Sequence, residues 1–380
     1  MSADLKSSGL EGIVAGKTEI CSVEQGELIY RGYEIHDLAE HATFEEVAYL
    51  LLLGHKPTER ELADFEAELK EHRTLESPIV DYLHAARPML ESGSADPMDV
   101  LRTCVSIAGN LDPDSQSNEH AANLAKAKRL TAKIPTMVGH MQNVIDGRDL
   151  IAPDPQLGHA ANLLHMIRGT RPTEEEARII DVSLILYAEH DYNASTFSAR
   201  VIAGTMSDLH GAVTGAIAAL KGPLHGGANE AAMRMLKEID EVIAGGGSVE
   251  EFMANAFVSK RKLMGFGHRV YKHGDHRAGI LHALGRKYAE GKGDDFSRWF
   301  DIGEAVQRIM LEEKRIHANV DFPCGMTYFV MGIPVPQYTP IFVASRVTGW
   351  AAHVMEQHDN NRLIRPIAEY VGPRDLSWNG

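Results

Sequence analysis

The chain has 380 residues, 44% of them hydrophobic and 24% charged, and 53 Asp and Glu against 38 Lys and Arg give a formal net charge of −15. Such a length and composition suit an ordinary globular protein with two domains, or one large and one small. The acidic balance excludes the broad basic face that nucleic-acid binding needs, and the longest apolar run, AYLLLL at 48–53, is far too short to span a membrane.

Elements follow in chain order. The opening MSADLKSSGLEG lacks the apolar core of a signal peptide. Strand signals come next, in GIVAG (12–16), TEICSV (18–23) and ELIYRG (27–32), with Gln25-Gly26 suited to turning a small hairpin between the last two. Everything after that reads as helix. Four capping-box signatures, Thr43 with Glu46, Thr58 with Glu61, Thr173 with Glu176 and Ser248 with Glu251, each precede apolar residues at helical spacing. NLDPDSQSN (110–118) and APDPQLG (152–158) read as loops between helices. GPLHGG and AGGGS (244–248) bracket a glycine-rich region suited to a hinge or to close backbone approach to a ligand. Three scattered cysteines, Cys21, Cys104 and Cys324, with no CxxC pair, suggest reduced thiols in a cytoplasmic protein.

The stretch KRKLMGFGHRVYKHGDHR (260–277) sets six Lys and Arg and three histidines, His268, His273 and His276, against one carboxylate, Asp275. A metal reading is weak: the histidine spacings do not share one helical face, the cations would repel a divalent ion, and there is no HExxH. Binding of a phosphate or carboxylate fits better, since glycines with Arg and Lys suit anions and histidine can also move a proton. The bland alternative is a solvated basic face. His225, in PLHGGANEAAMRML, stands ahead of a helix, where the dipole favours a neutral imidazole able to donate to a developing oxyanion; a capping or core histidine is the alternative. Asp321 sits in the apolar setting ANVDF, where desolvation raises basicity, unless it serves as an N-cap for the next helix.

Taken together and in order, YRGYEIHDLAE, NASTF, GPLHGGANE, GFGHRVYKHGD, NVDF and NNRLIRP strongly resemble the citrate synthase family, over about residues 9–373. The resemblance implies an all-α fold with a minor N-terminal β-hairpin. A large domain (1–227 and 327–380) and a small one (228–326) would enclose the active site in the cleft between them. It implies a homodimer that condenses acetyl-CoA or propanoyl-CoA with oxaloacetate and then hydrolyses the thioester, without metal or other cofactor. By motif, Asp321 would take a proton from the acyl carbon, His225 would stabilise the enol oxygen, and His268 would polarise the ketone. His190, Arg277 and Arg346 would bind oxaloacetate, with Arg365 supplied across the dimer. Lys260, Arg261 and Lys262 look suited to CoA phosphates, followed by Arg269 and Lys272.

His276 stands where the family usually has proline, so a less rigid loop is expected there; Ala318 also replaces a common proline, and neither is at a catalytic position. The longer members that NADH inhibits carry an additional N-terminal region, so NADH regulation is not expected. The motifs are mixed in specificity. GFGHRVYKHGD and NVDF resemble citrate synthases, whereas AGKTEICSV, DPMDVLRTCVS, LYAEHDYNASTF and RVTGWAAH resemble 2-methylcitrate synthases. Both thioesters are therefore expected as substrates. The alternatives are a strictly specific synthase of either kind, a thioester hydrolase, or a non-catalytic helical scaffold.

Overall fold

The computed structural model describes residues 10, 12–23, 27–267, 271 and 274–377. Two of the three strand signals form strands. β1 (Cys21–Ser22), β2 (Ile29–Tyr30) and β3 (Tyr33–Glu34) make an antiparallel sheet in that order. Cys21 faces Tyr30, and Ile29 faces Glu34. The unanticipated third strand follows a two-residue turn, Arg31-Gly32, with φ of 49° and 92°, the left-handed pair that tight hairpins favour. GIVAG does not form a strand. Ile13 and Val14 are 61% and 87% exposed, so neither finds the half-buried surface on which a strand's side chains pack. The Gln25-Gly26 turn lies outside the described residues.

Sixteen α-helices follow among the described residues. The first ten are α1 (Ile35–His41), α2 (Phe44–Leu53), α3 (Glu59–Glu71), α4 (Ser77–Glu91), α5 (Pro97–Leu111), α6 (His120–Ile145), α7 (His159–Arg168), α8 (Glu174–Tyr187), α9 (Ala194–Ala203) and α10 (Leu209–Leu220). The rest are α11 (Ala228–Ala244), α12 (Val249–Val258), α13 (His276–Lys292), α14 (Asp294–Lys314), α15 (Asp321–Val330) and α16 (Tyr338–Asp359). The capping boxes at Thr43, Thr58 and Thr173 form in full. At Ser248 only half forms: the hydroxyl accepts from the Glu251 amide, while the Glu251 carboxylate lies beside Gly247. No helix is long and apolar enough to cross a membrane among the described residues.

Two helices carry the core. The second half of α6 and almost all of α16 are buried on every side and pack on each other, the expected state of a helix that is apolar all round. α8 is buried over its last two turns and packs on α16. α11 to α15 pack mainly among themselves, and α13 reaches across to α8 and α1. This arrangement directs the C-terminal end of α8, the start of α13, the start of α15 and the middle of α16 toward one place.

Candidate active site

The C-terminal end of α8 gathers cations. Its last carbonyls have no partner within the helix, and the helix dipole makes that end attractive to positive charge. Arg346 on α16 donates from Nε to the Tyr187 carbonyl at 2.5 Å, and Arg277 on α13 donates from Nη1 to the Leu186 carbonyl at 3.4 Å. The Tyr30 hydroxyl from β2 donates to the Glu189 carbonyl at 2.8 Å, tying the small sheet to the same turn. Close approach of α16 depends on Gly349, where a Cβ would stand 2.1 Å from Glu189 Oε2 and 2.4 Å from the Ala188 carbonyl.

Both arginines are almost wholly buried, at 4% exposure for Arg277 and 2% for Arg346. Burial pulls the basicity of Arg346 down from the ordinary arginine value, with Glu189 the leading opposing charge. Burial works in the same direction on Arg277, but Asp275 outweighs it and raises the guanidinium. Asp275 occupies the Arg277 fork from both sides, accepting from Nε at 2.9 Å and from Nη2 at 2.8 Å. The same carboxylate caps α13 and accepts from the Val320 amide at 3.0 Å. It thereby joins the start of α13 to the residue before Asp321.

After α8 the chain folds back through His190 to α9. His190 is buried, and its Nε2 lies 3.0 Å from the Tyr271 hydroxyl. Asn193 caps α9, its Oδ1 accepting from the Ser195 and Thr196 amides while its Nδ2 donates to the His190 carbonyl. Ser195 meets His225: Nε2 of the ring lies 2.8 Å from the Ser195 hydroxyl, and the Ser195 amide points at the same nitrogen from 3.3 Å. Burial, with the Arg346 charge nearby, lowers His225 to about 4, so its imidazole is neutral at physiological pH.

Asp321 is the first residue of α15, and its side chain does not cap the helix. Its Oδ1 accepts a 2.8 Å hydrogen bond from the Tyr187 hydroxyl. Burial raises the carboxyl to about 6, against the downward pull of the Tyr187 bond and of the Arg277 and Arg346 charges and with a smaller upward push from Asp275. The glycine loop is fastened beside it. Gly267 donates to the His317 carbonyl, Asn319 donates to the Gly265 carbonyl, and the Asn319 amide group donates to the Gly267 carbonyl, each at 2.9 Å. Gly265 has φ of 82°, and a Cβ there would meet Phe322 at 2.9 Å, so the loop lies flat on α15 only with glycine. His268, Arg269, Lys272 and His273 lie outside the described residues, although Gly267, next to His268, belongs to this fastened loop.

His190, His225, Arg277, Arg346 and Asp321 therefore surround the end of α8. The other sequence candidates stand elsewhere. Lys260 and Lys262 are exposed beyond α12, and Arg261 forms a two-bond ion pair with Glu238 at 2.6 and 3.0 Å. Arg365 is exposed on the extended segment after α16 and makes no hydrogen bond or ion pair with the described residues. A cavity of about 250 Å³ opens beside the glycine loop, lined by Tyr271, Asp275, Arg315 and His317 among others. Sequence reasoning missed Tyr187, Ser195 and Asp275 as members of this site. Ser195 had a signal as part of NASTF, and Asp275 had one as the acidic residue just ahead of a helical run.

Residues 9–367 match the family model described as "Citrate synthase, C-terminal domain". The chain is 43% identical to the citrate synthase of Haloferax volcanii, with 100% of this chain and 98% of that one covered. It is 44% identical to the 2-methylcitrate synthase of Shewanella oneidensis, over 97% of this chain and 95% of the other. Among solved structures, the citrate synthase of Thermoplasma acidophilum in a ternary complex with carboxymethyl coenzyme A and oxaloacetate superimposes with a TM-score of 0.90 at 31% identity, covering 98% and 97% of the two chains. The citrate synthase of Pyrobaculum aerophilum gives a TM-score of 0.86 at 40% identity, covering 97% and 93%.

Proposed function

The chain belongs to the citrate synthase family, and from that premise we propose that it condenses both acetyl-CoA and propanoyl-CoA with oxaloacetate, giving citrate and 2-methylcitrate. The observation that carries this reading is the pairing of a carboxyl raised to about 6, Asp321, with an imidazole held neutral, His225, at one helix end lined by buried arginines. A base with its proton affinity near the operating pH transfers protons best.

Asp321 removes a proton from the carbon next to the thioester. The C–H bond breaks, an O–H bond forms on the carboxylate, and the electron pair moves onto the thioester oxygen. His225 donates a hydrogen bond to that oxygen. With the Ser195 amide donating to Nε2, the imidazole proton sits on Nδ1 and faces the substrate. His268 polarises the oxaloacetate ketone as the new carbon–carbon bond forms, and water then cleaves the thioester and releases CoA.

His190, Arg277, Arg346 and the partner subunit's Arg365 hold the dicarboxylate. Because Asp275 fills the Arg277 fork, a ligand carboxylate meets that arginine at Nη1. The homodimer gains support from the segment carrying Arg365, which exposes Leu363, Ile367, Tyr370, Val371 and Leu376 within one short stretch, a grouping of apolar side chains of the kind that marks an interaction surface. Lys260, Arg261, Lys262, Arg269 and Lys272 receive the CoA phosphates. The large domain, 1–227 with 327–380, and the small domain, 228–326, close on the substrates, and no metal or other cofactor takes part.

One added methylene in an apolar pocket discriminates by only about 10–200-fold, so kcat/KM for the two thioesters is expected to agree within about two orders of magnitude. Thiol release at saturating oxaloacetate measures it. A ratio beyond about 10³ exceeds that ceiling and marks a strictly specific synthase. Release without oxaloacetate marks a hydrolase, and no release at all overturns the enzyme reading.

A further inference from the structure

We propose that Tyr187 is a positioning residue for this reaction: it holds the Asp321 carboxylate ionised and turned so that Oδ2, not Oδ1, receives the proton from the acyl carbon. The inference rests on the reading of Asp321 as the base and adds a residue and an atom to it.

Tyr187 is the last residue of α8 and is fixed at both ends. Its backbone carbonyl accepts from Arg346 Nε at 2.5 Å. Its ring packs on Phe342 of α16, centroids 4.4 Å apart at 57°. The hydroxyl is thus carried to Asp321 by a side chain with little freedom, and it donates at 2.8 Å to Oδ1. Oδ2 has no hydrogen bond to the described residues, which leaves it the oxygen with a lone pair available to a substrate.

The surrounding charges make this donor consequential. Arg277 of α13 and Arg346 of α16 favour the ionised carboxylate, Asp275 opposes it, and burial opposes it most. On the side of Tyr187, the thiol of Cys324 and the hydroxyl of Tyr328, both on α15, also push the Tyr187 hydroxyl upward. Burial and the negative Asp321 hold the Tyr187 hydroxyl far above its usual value, so it keeps its proton across the working pH range and always acts as donor. A hydrogen bond to the charged form of an acid favours that form. Proton transfer balances without a further reactant: the C–H bond breaks, the O–H bond forms on Oδ2, the electron pair passes to the thioester oxygen, and Tyr187 keeps its own proton throughout.

The test is Tyr187→Phe, which deletes the hydroxyl and keeps the ring on Phe342. The readout is the pH profile of kcat/KM for acetyl-CoA at saturating oxaloacetate. A hydrogen bond to a charged group is strong enough to move the acid limb upward by roughly one pH unit, with a smaller loss of rate on the alkaline plateau and unchanged oxaloacetate affinity. A merely structural role lowers the whole profile and leaves the limb where it was; that result in a folded variant overturns the proposal. Should Tyr187→Phe not yield folded protein, Phe342→Leu frees the ring without touching either oxygen. The acid limb then moves the same way or the proposal fails. Asp321→Asn, assayed in parallel, separates the two claims: if it turns over normally, the base assignment is wrong; if it is inactive and the limb is unmoved in Tyr187→Phe, only the role of Tyr187 is wrong.

Discussion

Replacing Glu45 with glutamine should stabilise the protein at neutral pH and not in acid. Glu45, in the first turn of α2, is only 7% exposed. Its Oε1 accepts from the His159 amide at 2.7 Å and so serves the start of α7, where no residue of that helix supplies a side-chain cap. Burial and the neighbouring Asp181 raise its carboxyl from 4.5 to about 7. A carboxyl raised in the folded state binds its proton more tightly there than in the unfolded chain. Its contribution to stability is therefore complete below about pH 4.5 and is lost as pH rises toward 7. Each pH unit of displacement is worth about 1.36 kcal/mol, so the loss amounts to about 3 kcal/mol. Glutamine keeps the acceptor for His159 and cannot ionise. Denaturant unfolding of both proteins from pH 4.5 to 8, at one protein concentration, should show the variant gaining about 3 kcal/mol on the wild type across that interval. A difference that stays flat with pH refutes the reasoning, because it means Glu45 ionises in the fold as readily as in the unfolded chain.

Two predictions concern the site. Asp321→Asn should lower kcat by about 10²–10⁴, the usual loss on removing a general base, with oxaloacetate affinity nearly unchanged; thiol release and ligand titration check both, and near-normal turnover sinks the mechanism. Mixing inactive Arg365→Ala with inactive Asp321→Asn, followed by subunit exchange, should restore activity through one intact hybrid site per mixed dimer, and no rescue after proven exchange counts against an arginine shared across subunits.

What the sequence made legible was local. A Thr with Glu three residues on formed the expected box three times because both groups belong to one helical turn. The Asp96–Asp99 box of α5 escaped notice because its second acid is aspartate. GIVAG failed for the opposite reason: a strand needs a partner edge, and its apolar alternation could not say whether one was there. Residue types at the site were readable from motifs, and His190, His225, Arg277, Arg346 and Asp321 do surround the end of α8. Their partners were not. Tyr187 meets Asp321 across 134 positions, and Asp275 meets the Val320 amide across 45. The basic run at 260–262 read as a set of free cations, yet Glu238, 23 positions away, holds Arg261.

The clearest gap between pattern and structure is at Asp321 itself, where one position separates a capping aspartate from one whose carboxylate is free of its own helix. An aspartate at the N-cap accepts hydrogen bonds from its own helix, which stabilise its anion and lower its proton affinity. Here Val320 occupies the N-cap position, and the Asp321 amide donates instead to Asn319 Oδ1 at 3.1 Å. With Asn319 serving the helix start, the Asp321 carboxylate is released from that task and turned toward the end of α8. It meets one tyrosine hydroxyl there instead of a row of amides, and burial outweighs that single donor to leave the carboxyl at about 6. Asn319 also fastens the glycine loop through Gly265 and Gly267, so the residue that takes the Asp321 amide also holds that loop against the start of α15. The order Asn-Val-Asp thus has a physical meaning that apolar setting alone does not supply: asparagine accepts from the Asp321 amide, valine occupies the N-cap position and is bound through its amide to Asp275, and the aspartate carboxylate is left to Tyr187, open to the role of base proposed for it.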